Sequence, residues 1–394
     1  MKFDPRLQEG HTVQLLHGGQ EFFPALIADI EGSQSEVRLE TYIFYFDKSG
    51  EQVAAALERA AQRGVQVFLL MDGIGTGAIP EAWAQRWTQA GVQWQIYSPL
   101  NRWGLLSPRS WRRLHRKLCV VDGALAYCGG INVLDDWHDP TWGPQDSPRF
   151  DFAVRVAGPL VQETRAAMQL LWSRLPGNRA QRRQPLAPIP ATAARVVRQA
   201  VSGTVRAALV LRDNLRHRRH IERSYLKAIG EARHDILLAN AYFMPGMRLR
   251  RAFKLAARRG VRVRLLVQGR YEYFMQFHAN RPVYGPLVAA GVEIYEYQPG
   301  FLHAKVAAID GRWATVGSSN LDPLSLLLAR EANVVVVDEA FAASLAGQLA
   351  DAIASQAQRI DSHALARRSV WQRFLDYLAF AVMRSLLFLT GKRY

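Results

Sequence analysis

Cysteine is nearly absent: Cys119 and Cys128 are the only two in 394 residues. Both fall inside one short hairpin pattern, which excludes the disulfide framework of a small secreted domain and reads as reduced core thiols in a cytosolic compartment. Long apolar runs are missing too. No uninterrupted stretch reaches the roughly 20 residues that a spanning helix needs. Met1 to Gln20 carries charges and no apolar run of signal-peptide length, so export is not expected. There is no HExxH, no grouped cysteine and no acidic cage, hence no expected metal or cofactor. Acid is scarce beside base, with 34 Asp and Glu against 50 Lys and Arg and a formal net charge of +16. That surplus points to polyanionic partners, nucleic acid or an anionic membrane. The length allows two cores of ordinary size.

What the chain has in quantity is repetition. His115-Arg116-Lys117-Leu118-Cys119-Val120-Val121-Asp122 recurs as His303-Ala304-Lys305-Val306-Ala307-Ala308-Ile309-Asp310. At equal spacing both run on to a small-residue turn ending in Asn, Gly129-Gly130-Ile131-Asn132 and Gly317-Ser318-Ser319-Asn320. Longer segments repeat in the same order: Glu36 to Phe46 with Asp235 to Met244, Ala56 to Gly73 with Ala252 to Gly269, and Ala90 to Pro99 with Ala290 to Pro299. Each unit reads as a strand, a helix closed by Gly64 or Gly260, a Val-rich strand, a second helix closed by Gly91 or Gly291, and a third strand. Alternating helices and short apolar strands predict an α/β sandwich in each half. The expected division is 1–178 for the first half, a Pro- and Arg-rich linker over 179–204, 205–365 for the second half, and a helical tail over 366–394. Arg212 to His220 reads as a basic, solvated helix face, with contact to an anionic surface as the alternative. In the tail, Trp371, Phe374, Leu378, Val382 and Leu386 keep helical spacing, flanked by Arg367, Arg368, Lys392 and Arg393. An amphipathic helix at a membrane interface is expected there, with docking on the protein's own core as the alternative.

Within each motif, His and Lys two apart on a strand point to one face. Two matched sets of His, Lys and Asn are what phosphoryl transfer through a covalent histidine requires: one imidazole attacks, the other protonates, and cationic or amide donors hold the phosphate oxygens. Asp122-Gly123 and Asp310-Gly311 read as hairpin turns, so these aspartates are expected to build the site without touching substrate. Asp151 and Glu331, each heading an apolar strand, are the candidates to hold a histidine's distal nitrogen. Which acid serves which histidine is not readable.

These residues resemble the phospholipase D superfamily, whose mark is the duplicated motif HxKxxxxDxxxxxxGxxN; both copies are complete. Phe301 to Val337, with Asn320-Leu321-Asp322-Pro323 and Glu331-Ala332-Asn333, resembles bacterial cardiolipin synthases, and the arrangement lacking two N-terminal membrane spans, with the aromatic and basic tail ending in Arg393-Tyr394, is similar to the soluble-looking, membrane-associated B type. The stretch Val133 to Arg149 departs from the family pattern and is expected to shape the substrate mouth. The resemblance implies two pseudo-symmetric α/β/α sandwich halves of phospholipase D type with the active site between them. It implies a catalytic set of His115, Lys117, Asp122, His303, Lys305 and Asp310, with phosphate binding by Asn132, Asn320, Gly130 and Ser318. It further implies metal-independent transfer from one phosphatidylglycerol to another through a phosphohistidine, with His115 the expected nucleophile. Phosphatidylglycerol, other phospholipids and an anionic membrane surface are the expected partners; no nucleic acid and no obligate protein partner is expected. The expected location is peripheral, on the cytoplasmic face of the bacterial inner membrane. A phospholipase D-type hydrolase, a transphosphatidylase using other alcohols, and a nuclease are the rival readings.

Overall fold

Local signals cut the chain into its elements. Gly64, Gly91, Gly260 and Gly291 each follow a helix with φ between 88° and 92°, a left-handed stop that turns the chain into the next strand. The computed structural model describes residues 5–99, 112–178, 186, 188–194, 203–213, 217–272, 274–322, 329–361 and 369–389. Most of the expected linker, Pro323, and the tail's flanking Arg367, Arg368, Lys392 and Arg393 lie outside the described residues.

The first half begins with β1 (Gln8–His17), α1 (Gly18–Glu31), β2 (Glu36–Thr41), α2 (Lys48–Gln62), β3 (Gln66–Asp72), α3 (Glu81–Ala90) and β4 (Gln93–Tyr97). The short β5 (Arg113–Leu114) leads into the hairpin of β6 (Lys117–Val121) and β7 (Leu125–Gly129). A small ladder of β8 (His138–Asp139) and β9 (Gly143–Pro144) precedes β10 (Phe152–Ala157) and α4 (Leu160–Trp172). The second half repeats the scheme as β11 (Val205–Arg212), α5 (His220–Glu231), β12 (Asp235–Asn240), α6 (Met247–Arg258), β13 (Arg262–Gln268), α7 (Phe274–Val288) and β14 (Glu293–Tyr297). The second hairpin, β15 (Lys305–Ile309) and β16 (Trp313–Gly317), is followed by β17 (Ala329–Val337), α8 (Glu339–Gln356), β18 (Ala357–Ile360) and α9 (Val370–Leu389).

Strand order is β4-β3-β2-β6-β7-β10-β1 in the first half and β14-β13-β12-β15-β16-β17-β11 in the second, with β18 added at the outer edge. β2, β3 and β4 run parallel, as do β12, β13 and β14, and each hairpin joins antiparallel to β2 or β12. The halves join edge to edge where β1 pairs with β11, a seam that the internal repeat gave no sign of. They also share a core: Leu118, Val120 and Val154 pack in one apolar cluster with Val306, Val316 and Val334, closed by Leu160 of α4 and Leu345 of α8. Separate clusters lie under α1 to α3 and under α5 to α7, so each sheet is covered on both faces. Cys119 and Cys128 face opposite clusters and are unpaired and buried, and burial pushes the Cys128 thiol up to about 12.

Two expectations need correction. Arg212 is not part of a solvated basic face: it is buried at the end of β11 and donates to the Ala329 carbonyl. The tail helix divides its surface between the two alternatives. Ala379 and Met383 are buried against the domain and Asp376 pairs with His278 of α7 at 2.6 Å, while Trp371, Phe374, Tyr377, Leu378 and Val382 stay exposed.

Candidate active site

Both hairpins are fixed by the same device. Asp122 and Gly123 take φ of 51° and 63°, Asp310 and Gly311 51° and 61°, the left-handed pair that a tight hairpin demands. The Asp122 carboxylate accepts from the backbone N–H groups of Gln34, Ser35 and Glu36, and Asp310 accepts from those of Arg233, His234 and Asp235. Each aspartate thus ties its turn to the start of β2 or β12. Neither lines the cavity that the histidines face, in keeping with a structural reading of the motif's acid.

The strands deliver His115 and His303 to that cavity, of about 610 Å³, between the halves. The backbone N–H of His115 donates to the Arg330 carbonyl at 3.0 Å and that of His303 to the Phe150 carbonyl at 2.9 Å. Each histidine is therefore pinned to the other half, one residue before an acid. The acids follow the same crossing. His115 Nδ1 lies 3.1 Å from Glu331 Oε2, and His303 Nδ1 lies 2.6 Å from Asp151 Oδ2. With Nδ1 held by a carboxylate, Nε2 is the nitrogen left for chemistry in both rings.

The four small-residue positions divide. Asn132 Oδ1 accepts from the Ile43 N–H at 3.2 Å and Asn320 Oδ1 from the Tyr242 N–H at 3.4 Å, which leaves the amide Nδ2 of each as the donor for a ligand. Both line the cavity; Gly130 and Ser318 do not. A Cβ on Gly130 would come within 2.2 Å of Asp151 Oδ1, so this glycine exists to admit the carboxylate. Ser318 donates its hydroxyl to Glu331. These two residues, expected to bind phosphate, instead seat the two histidine-orienting acids.

Lys117 Nζ donates to the His115 carbonyl at 2.7 Å and Lys305 Nζ to the His303 carbonyl, just behind the cavity wall. Burial lowers Lys117 to about 7 and Lys305 to about 8, opposed chiefly by Glu331 and Asp151 respectively. Burial likewise lowers both imidazoles, with Lys117 and Lys305 adding to it at each; Glu331 offsets part of the fall at His115, while His303 is lowered well below its ordinary value, and burial raises Asp151 to about 6. The resting site therefore holds neutral imidazoles backed by two lysines whose charge is conditional. Among the described residues no group of three or more His, Cys, Asp or Glu side chains could hold a metal ion.

Further wall residues escaped the motif reading. The Tyr42 ring lies 4.9 Å from that of His115, and the Tyr242 hydroxyl donates to Glu272 at 3.0 Å. Arg149, Asn280, Asp322 and Met383 of α9 complete the wall, so the tail helix borders the site.

A family described as cardiolipin synthase, PLD-like domain, matches residues 26–138 and 225–353. Cardiolipin synthase B of Escherichia coli K12 is 40% identical over 384 residues, covering 98% of this chain and 90% of that one. Cardiolipin synthase A of Pseudomonas entomophila is 32% identical, covering 84% of this chain and 66% of the other. Among solved structures, phosphatidylserine synthase of Haemophilus influenzae superposes with a TM-score of 0.66 at 11% identity over 96% of this chain and 93% of its own, a likeness of fold.

Proposed function

The chain belongs to the PLD-like family of cardiolipin synthases, and from that premise we propose that it transfers a phosphatidyl group from one phosphatidylglycerol to another and releases glycerol. The observation that carries this reading is the crossed pair: two histidines facing one cavity, each ring held by the other half's carboxylate.

The chemistry follows from that arrangement. Binding of the anionic phosphodiester favours the imidazolium form of His303; neutral His115 then attacks the donor phosphorus through Nε2 while His303 gives its Nε2 proton to the glycerol oxygen and becomes neutral, so the P–O bond to glycerol breaks as the P–N bond forms. A hydroxyl of the acceptor lipid then gives its proton to His303 and attacks phosphorus; the P–N bond breaks and cardiolipin leaves. Asn132 and Asn320 donate to the equatorial oxygens, with Lys117 and Lys305 as nearby positive charge. Glu331 and Asp151 stabilise the imidazolium that forms at each stage.

A lipid acceptor outcompetes water only if the site opens onto lipid. The exposed Trp371, Phe374, Tyr377, Leu378 and Val382 of α9 lie on the helix that borders the cavity, and Trp137 and Trp142 project from the loop that forms its other side. Aromatic side chains on a basic protein suit an anionic membrane surface, here the cytoplasmic face of the inner membrane. Among the described residues no helix is long and apolar enough to cross a membrane.

The test gives purified protein phosphatidylglycerol in mixed micelles and follows cardiolipin and glycerol together. Equal amounts of both, abolished in His115→Ala and in His303→Ala, are expected. Phosphatidic acid without cardiolipin would make the protein a hydrolase, and DNA cleavage without lipid turnover would make it a nuclease.

A further inference from the structure

The two halves match closely in backbone and poorly in the side chains that line the cavity. Strand registers equate Ile43 with Tyr242, since their N–H groups serve Asn132 and Asn320 in turn. They equate Thr76 with Glu272, four residues beyond the ends of the paired β3 and β13, and the motif spacing equates Leu134 with Asp322. All six residues line the cavity. At these three positions on the first half's side the wall offers Ile43 and Leu134, with the Thr76 hydroxyl donating to the Tyr42 carbonyl and accepting from the Phe44 N–H, and that half's lining carboxylate, Asp139, is engaged by Arg149. On the second half's side it offers a phenol and two carboxylates, with Glu272 and the Tyr242 hydroxyl joined at 3.0 Å.

This asymmetry has a chemical meaning once the substrate's two ends are considered. The diacylglycerol end of the donor carries ester and hydrocarbon groups and has no hydroxyl to donate. The departing head group carries two free hydroxyls, which hydrogen-bond well to a carboxylate, an acceptor at both oxygens. In an in-line displacement the leaving alcohol sits beside the acid histidine, opposite the nucleophile. Both Glu272 and Asp322 act electrostatically on Lys305 of the second motif, so the polar wall belongs to the His303 side.

We propose that Glu272, held by Tyr242, is the residue that recognises the glycerol head group of the donor lipid, on the His303 side of the cavity. The inference rests on the phosphatidylglycerol reading above and deepens it: the head group's position assigns His303 as the acid that releases glycerol, and His115 as the nucleophile. Burial raises the Glu272 carboxyl above its ordinary range, against the pull of the Tyr242 hydroxyl, which strengthens it as a partner for neutral hydroxyls.

Internal competition separates head-group recognition from chemistry, because donors in one micelle share the acceptor and the histidines. Phosphatidylglycerol and phosphatidylethanol of equal acyl composition are mixed in equal amounts, and released glycerol and ethanol are compared. In the unmodified protein glycerol should dominate. In Glu272→Gln the glycerol-to-ethanol ratio should fall about tenfold or more, because a charged acceptor for the hydroxyls is lost. Tyr242→Phe, which removes one hydroxyl, should move the ratio the same way by less, and it decides the matter should Glu272→Gln not fold. An unchanged ratio in a folded variant that still releases glycerol overturns this inference and leaves the synthase reading standing. No glycerol from the unmodified protein overturns both.

Discussion

Lys117 and Lys305 sit where burial makes their charge easiest to lose, at about 7 and about 8. Below those values each is protonated and stabilises a bound phosphodiester; as pH rises through them the resting site loses positive charge. The KM for phosphatidylglycerol is therefore expected to rise severalfold between pH 7 and pH 9, with a smaller change in kcat. A KM that stays flat across that range would show that the lysines keep their charge or do not meet the phosphate. The histidines and asparagines of this site were legible because their spacing is duplicated. The pairing of acid with histidine was not, since His115 with Glu331 and His303 with Asp151 are contacts between halves, which no local pattern encodes. Gly130 and Ser318 show the same limit: the turn was readable, but that they seat the acids depends on what packs behind it. Glu272 went unseen because the repeat hides it, the matching position in the first half being Thr76.

Among the elements, the two catalytic hairpins are stabilised from outside the cavity. Burial alone would raise the Asp310 carboxyl, yet the N–H donors of Asp235, Arg233 and His234 hold it below the usual carboxylate range. A carboxylate depressed in the folded state contributes stability above its unfolded pKa of about 3.9, and that contribution is lost as pH falls through the lower folded value. Asp310→Ala should cost roughly 2–3 kcal/mol in denaturant unfolding at pH 7, discounted for a partly exposed turn, and the difference from the unmodified protein should shrink below about pH 4. A loss under about 0.5 kcal/mol would contradict the anchoring role. The hairpins, the Gly-capped helices and the parallel strands were all legible from periodicity and turn residues. The β1 and β11 seam was not, because an edge-to-edge pairing leaves no periodic mark in either strand. The tail helix was ambiguous for a physical reason: its residues are apolar almost all round, and only the docking of Asp376 on His278 shows which face turns inward.

As a whole molecule the chain is two similar sheets that complete each other, each supplying one histidine and the carboxylate for the other. On the proposed function, the exposed aromatic residues of α9, the helix that borders the cavity, turn it toward lipid. Replacing both Trp371 and Phe374 with Ser, residues 66% and 53% exposed, should weaken binding to phosphatidylglycerol vesicles about tenfold or more in sedimentation. Undiminished binding would remove α9 from the membrane contact. The central claim, covalent transfer with one histidine attacking and the other protonating, is met most directly by rapid quenching of the protein with short-chain phosphatidylglycerol and mapping of the adduct by peptide mass spectrometry. The account predicts a phosphatidyl group on His115 that is chased into cardiolipin by further phosphatidylglycerol. An adduct on His303 would reverse the two roles, and the absence of any histidine adduct during turnover would contradict the covalent route altogether.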